Sequence, residues 1–188
     1  MRIISGLFKG KKFLEPKDKK TRPLKDLTKE SIFNIITHSK NIKINFEKSN
    51  ILDLFSGVGS FGIECLSRNA KNVVFVENYQ GVISILKKNL DNLKSINNYE
   101  IIEKDIYQSN MFAEFDKKFN IIFLDPPYKD NNLDKLLTRI KNNKILEDDG
   151  VLVLHRHKDQ KDTIPENYEI IENKRYGISR ILFLHDLS

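Results

Sequence analysis

At 188 residues the chain has room for one domain and a modest appendage, and its 39% hydrophobic content can fill a single core. Charged residues make up 31%, and no apolar run approaches the roughly 18 residues of a spanning helix, which argues against a membrane protein. The start, MRIISGLFKGKK, breaks into glycine and lysine too early for a signal peptide. The lone Cys65 excludes an internal disulfide and a cysteine-rich metal site, so a reduced, cytoplasmic protein is expected.

The formal net charge of +6 is unevenly spread: residues 1–50 hold 13 Lys+Arg against 5 Asp+Glu, and the rest of the chain 19 against 21. A basic arm on a near-neutral body suggests a polyanion partner, with a merely solvated lysine surface as the alternative. Within that arm, RIISGLFKGKKFLE has the pattern of a β-hairpin turning near Lys9-Gly10. LKDLTKESIFNIIT (24–37) follows Pro23 with apolar residues at 24, 27, 32, 35 and 36, which fits an amphipathic helix.

From residue 51 onward the pattern alternates. ILDLF (51–55) is a short apolar strand, and SGVGSFGIECLSRN (56–69) opens with glycines and continues at helical spacing. VVFVE (73–77), a helical stretch over 79–94 and YEIIEKD (99–105) come next. NIIFLD (120–125), NLDKLLTRIKN (132–142) and GVLVLH (150–155) complete the series. This alternation predicts an α/β fold with a doubly wound, mostly parallel sheet. YEIIENKRY (168–176) and SRILFLH (179–185), separated only by Gly177 and Ile178, predict a closing antiparallel hairpin.

Two stretches carry chemistry. DLFSGVGSFG places Gly57, Gly59 and Gly62 between a strand and a helix, and Glu77 ends the following strand. Glycines that admit a ligand to the backbone, with an acid for a ribose diol, suit either a nicotinamide dinucleotide or S-adenosylmethionine. The second stretch is FNIIFLDPPYKD. Its two prolines forbid the strand from continuing, so Asp125, Pro126 and Tyr128 collect at a carboxyl strand end, where ligands bind in open α/β sheets. An acid ending the third strand (Asp105) and no room for a hydride-accepting domain favour S-adenosylmethionine.

DLFSGVGSFG, VVFVE, EKDI and FLDPPY in this order resemble a class I S-adenosylmethionine-dependent methyltransferase acting on an exocyclic amino group. RIISGLFKGKKF, TRPLKDLTKESIFNII and the closing YGISRILF are similar to the bacterial RsmD family, the small-subunit (16S) ribosomal RNA guanine-N2 methyltransferases. The resemblance implies a division into a basic, RNA-facing part (1–45) and a methyltransferase domain (46–188). It implies S-adenosylmethionine held by Asp53, Phe55, Gly57 and Gly59 at the methionine, Glu77 at the ribose, and Asp105 with Ile106 at the adenine. Arg22, in a TRP motif, would lie near this cofactor, with a purely RNA-facing role as the alternative. Asp125 and the Pro126 carbonyl would accept hydrogen bonds from the target amino group while Tyr128 stacks on the base, and no metal is needed. Lys9, Lys11, Lys12, Lys19 and Lys20 are expected to track RNA phosphates, and the protein to act as a monomer on ribosomal RNA, free or in an assembling particle. His155 and His157 depart from the acidic residue the family often carries there and read as surface or strand-end residues; Cys65 reads as core. The alternatives are a DNA or RNA adenine-N6 methyltransferase using the same DPPY chemistry, and a catalytically silent RNA-binding protein on this fold.

Overall fold

Apolar runs of four to six residues bounded by turn residues pair as buried parallel strands, and the amphipathic stretches between them cover the sheet. The computed structural model describes residues 1–16 and 24–187. In chain order the elements are α1 (Asp26–His38), β1 (Asn50–Leu54), α2 (Ser60–Ser67), β2 (Asn72–Val76), α3 (Gln80–Asp91) and β3 (Tyr99–Ile102). β4 (Phe119–Leu124), α4 (Leu133–Asn142), β5 (Leu146–His157), β6 (Tyr168–Tyr176) and β7 (Ser179–Asp186) follow. The seven strands form one sheet in the order β3-β2-β1-β4-β5-β7-β6. Strands β1 to β5 run parallel; β7 pairs antiparallel with both β5 and β6. Among the described residues no helix is long and apolar enough to cross a membrane.

The alternation read from the sequence is therefore the alternation observed, and among the strands two bounds move by three residues or more. β3 stops at Ile102 rather than running to Asp105, because it is the edge strand and the charged Glu103-Lys104-Asp105 has little to gain from burial. β5 starts earlier, at Leu146, with a register irregularity against β4 between Phe119 and Ile121.

Side chains leave the strands on alternate faces. One face packs Ile51, Phe123, Val153 and Ile181 against α1, α2 and α3; the other packs Leu52, Leu124 and Leu154 against α4. The first of these cores also takes in Ile3, Phe13, Leu24, Ile32, Phe33 and Ile36, so the N-terminal segment shares its interior with the sheet. A stack of rings, Phe33 on Phe61 (5.1 Å) and Phe61 on Phe123 (4.1 Å), runs from α1 through α2 to β4.

In this segment the sequence reading needs a correction. Leu27, expected on the apolar face of α1, is 76% exposed, while Lys29 is fully buried. At about 100° per residue, Lys29 lies in line with Ile32, Phe33 and Ile36, and Leu27 points away. Burial depresses the Lys29 pKa, partly offset by Glu64 and Asp26. Its ammonium donates to the Arg2 carbonyl (2.7 Å), lies 3.7 Å from the Glu64 carboxylate and sits over the Phe13 ring. Glu64, also fully buried, accepts from the backbone N–H groups of Ile4 (2.8 Å) and Ser5 (2.9 Å) and from Arg68 (3.0 Å). The hairpin is thus fastened to α2. Its own arms pair through the Arg2–Lys12 bridge and flanking backbone hydrogen bonds from Ile3 N–H to Lys11 (2.8 Å), Gly10 N–H to Ile3 (2.9 Å) and Phe13 N–H to Met1 (3.1 Å).

Candidate active site

Strand order reverses between β1 and β4, and the crevice at their carboxyl ends is the switch point where open sheets bind ligands. The glycine loop leaves β1 here. Phe55 (φ 59°), Gly57 (φ 56°) and Gly59 (φ 84°) are all left-handed, which a non-glycine residue such as Phe55 adopts only where the surroundings enforce it. Gly62 permits α2 to lie against β2: a Cβ there would sit 2.3 Å from the Phe75 ring. Above Gly57, by contrast, there is open space.

The loop is acidic and polar. Asp53, buried on β1, accepts from the Gly62 N–H through Oδ2 (2.9 Å). Burial drives its pKa well up; the Gly62 hydrogen bond opposes this, and the carboxylates of Asp125 and Glu77 add repulsion. Its Oδ1, together with the hydroxyls of Ser56 and Ser60, is buried without a hydrogen-bond partner. Three orphaned polar atoms cost free energy unless a ligand satisfies them. Glu77 accepts from the N–H groups of Gly57 (2.8 Å), Asn78 and Tyr79 (both 2.9 Å), which fixes its carboxylate at the crevice edge. Phe55, Glu77 and Ile106 line one small cleft with Val76, Asn78 and Lys104. Asp105 accepts from Tyr107 N–H (2.9 Å) in an Asx turn beside this cleft.

Across the crevice, the chain leaves β4 at Asp125 and turns through Pro126 and Pro127. This turn is built from behind by residues absent from the sequence-based site. Arg156, 2% exposed, donates to the carbonyls of Pro127 (2.9 Å) and Asp130 (2.8 Å), and Asp162 neutralises it through a bidentate pair. The Tyr107 hydroxyl donates to Asp130 (2.7 Å), and Gln160 donates to the Tyr128 carbonyl. The Tyr128 ring meets His157 edge to face at 5.1 Å, and the two line an open hollow of about 360 Å³ with Lys129, Asp159 and Gln160.

His155 corrects the sequence reading. It is not a surface residue: it is 6% exposed, and its Nδ1 lies 2.8 Å from Asp125 Oδ1, its Nε2 2.9 Å from Ser179 Oγ. Burial pulls its pKa down, but attraction and hydrogen bonding to Asp125 outweigh this, and the net direction is up. The signal was available. β4 and β5 are neighbours in register, Leu124 opposite Leu154, so the residues that follow each strand's last apolar position come together on one face.

A family model described as conserved hypothetical protein 95 matches residues 1–185. Ribosomal RNA small subunit methyltransferase D of Haemophilus influenzae is 33% identical over 179 residues, covering 95% of this chain and 90% of its own length. The chain belongs to the RsmD family. YlbH of Bacillus subtilis is 35% identical over 185 residues, covering 96% of each chain. The solved structure of HI0767 from Haemophilus influenzae superposes with a TM-score of 0.77 at 30% identity, covering all of this chain and 98% of that one. The fold is thus that of the class I methyltransferases.

Phe55, Glu77 and Ile106 thus meet in one cleft, with Asp53, Gly57 and Gly59 on β1 and its glycine loop and Asp105 in the turn after β3; Asp125 and Pro126 follow the end of β4, and Tyr128 lines the separate hollow with His157. Lys9, Lys11 and Lys12 are exposed on the N-terminal hairpin, Lys11 over the Phe8 ring and bonded to the Asn92 carbonyl. Arg22, Lys19 and Lys20 lie outside the described residues. Cys65 is buried, as expected.

Proposed function

We propose that the protein transfers a methyl group from S-adenosylmethionine to the exocyclic amino group of a guanine in small-subunit ribosomal RNA, acting in the cytoplasm as a monomer. The observation that carries this reading is the juxtaposition of a rigid DPPY turn with an acidic crevice holding orphaned polar atoms. Membership of the RsmD family supports it. Relatives named ribosomal RNA small subunit methyltransferase D support ribosomal RNA as the methyl acceptor.

The residues fit the cofactor. Asp53, Ser56 and Ser60 supply unsatisfied acceptors and donors for an amino acid end, the space over Gly57 admits the backbone-hugging part of a ligand, and Glu77 and Asp105 offer carboxylates to a ribose and an adenine. The carboxylates of Glu77 and Asp125 at the crevice suit a cation. When bound, S-adenosylmethionine supplies a methyl group already activated on a positively charged sulfur.

What this chain adds is position and electrostatics. An exocyclic amino nitrogen is a poor nucleophile because its lone pair is delocalised into the ring. Asp125 and the Pro126 carbonyl, accepting its two N–H groups, favour a pyramidal nitrogen with the lone pair directed into the crevice. Tyr128 stacks on the base and keeps it out of its own helix.

Mass spectrometry of small-subunit ribosomal RNA incubated with the protein and S-adenosylmethionine tests the function. One N2-methylguanosine is expected; methyl on adenine, or none, would overturn the reading.

The basic hairpin is proposed to follow the RNA backbone. Reversing Lys9 and Lys12 to glutamate should weaken RNA binding and flatten the plot of log affinity against log salt by about 1.4, or 0.7 for each single-strand phosphate that is no longer neutralised. S-adenosylmethionine binding should not change. Filter binding over a salt series checks this, and an unchanged slope would reduce the lysines to a solvated surface.

A further inference from the structure

We propose that His155 is the positioning residue that sets the orientation and acceptor strength of Asp125, with Ser179 fixing the imidazole from the opposite side; this rests on the methyl transfer proposed above. Both ring nitrogens are engaged, on a ring almost wholly buried. With the Ser179 hydroxyl donating to Nε2, Nδ1–H donates to Asp125 Oδ1, which leaves Oδ2 for the substrate amino group. Ser179 is itself 6% exposed and held in β7, opposite His157 in the antiparallel register, so the ring has little freedom to turn.

The charged surroundings of His155 are few. Asp125 faces it from the end of β4, and Ser179 from β7. Arg156, next on its own strand, projects to the other face and is neutralised by Asp162, while Arg180 lies opposite Arg156 across the β5–β7 pairing. Asp53 reaches the pair only through its repulsion with Asp125. The state of His155 is therefore a balance of burial and the Arg156 charge, which lower its pKa, against Asp125, which raises it by more.

A consequence follows for pH. A neutral imidazole donates one hydrogen bond and leaves Asp125 its full charge. An imidazolium neutralises that charge and weakens the carboxylate as an acceptor for the amino group. Because the net shift of His155 is upward, the protonated ring persists to a higher pH than in an ordinary histidine, and turnover should fall as pH drops through this titration.

The test uses the full chain. For wild type, His155→Asn and His155→Ala, kcat and KM for unmethylated small-subunit ribosomal RNA are measured against pH with saturating S-adenosylmethionine. The wild type is expected to lose kcat on the acid side. His155→Ala should lower kcat by about 10–100-fold, the worth of a hydrogen bond to a charged group. Asparagine, whose amide nitrogen stands where Nδ1 does and can still donate to Asp125, should recover much of kcat without the acid limb, and KM should hardly move. An acid limb that persists in His155→Asn, or a change confined to KM, would overturn the proposal.

A second readout needs no activity. In nitrogen-15 spectra of the ligand-free protein, the His155 midpoint, assigned by its loss in His155→Asn, should fall in Asp125→Asn. An unmoved midpoint would sink the coupling even in an active enzyme, and a fallen midpoint would stand even where no methyl transfer is found.

Discussion

Replacing Asp125 by alanine is expected to lower methyl transfer by about 10²–10³-fold, the usual loss when one preorganised group at a reacting centre is removed. S-adenosylmethionine affinity should stay close to wild type, because the proposed work of Asp125 is on the nucleophile. Alanine also strips His155 of its Nδ1 partner and leaves that nitrogen buried, so Asp125→Asn is the necessary companion: it keeps the volume and an acceptor for His155 while removing the charge. Single-turnover transfer of a labelled methyl group, with calorimetry for the cofactor, separates the two effects. Near-wild-type turnover in a folded Asp125→Ala protein would contradict the assigned role.

The second large effect is expected far from the crevice. Glu64→Ala removes the carboxylate that receives Ile4, Ser5 and Arg68 and lies beside buried Lys29. Breaking a buried ion pair on one side strands the other charge, and the cost is typically about 3–5 kcal/mol. Glu64→Gln keeps the shape and an acceptor oxygen and should lose less. Urea denaturation of the ligand-free protein measures both, and a loss below about 1 kcal/mol for alanine would mean that the network contributes little. Because α2 begins at the glycine loop, loosening its grip on the hairpin should be felt at the crevice as well as in the fold.

Much of the architecture was legible because strand and helix periods are local. The glycine loop, the acid after β2 and the DPPY turn each declare themselves within about ten residues. What the sequence concealed depends on pairs distant along the chain. A lysine in an amphipathic helix reads as solvated, and only the docking of residues 2–8 on α2 shows why Lys29 turns inward and Leu27 out. Glu64 receives Ile4 from sixty residues away. His155 looks like a strand-end residue because Asp125, its partner, is thirty residues earlier. Arg156 is the same case in sharper form: between two histidines at a strand end it resembles a surface cation, yet it is buried under the turn it supports.

That buried guanidinium has a consequence for how a substrate must arrive. Two prolines restrict the backbone of the DPPY turn, and Arg156 ties the carbonyls of Pro127 and Asp130 to one anchor. A segment so constrained has little disorder to lose on binding and little scope to reshape itself around what it binds. In the proposed reaction the adjustment therefore falls to the RNA: the guanine has to be swung clear of its neighbours and presented edge-on to a surface that does not move. The enzyme should discriminate by how readily a nucleotide unstacks more than by the letters around it. Stiffening the RNA around its target would then slow methylation even with every phosphate left in place.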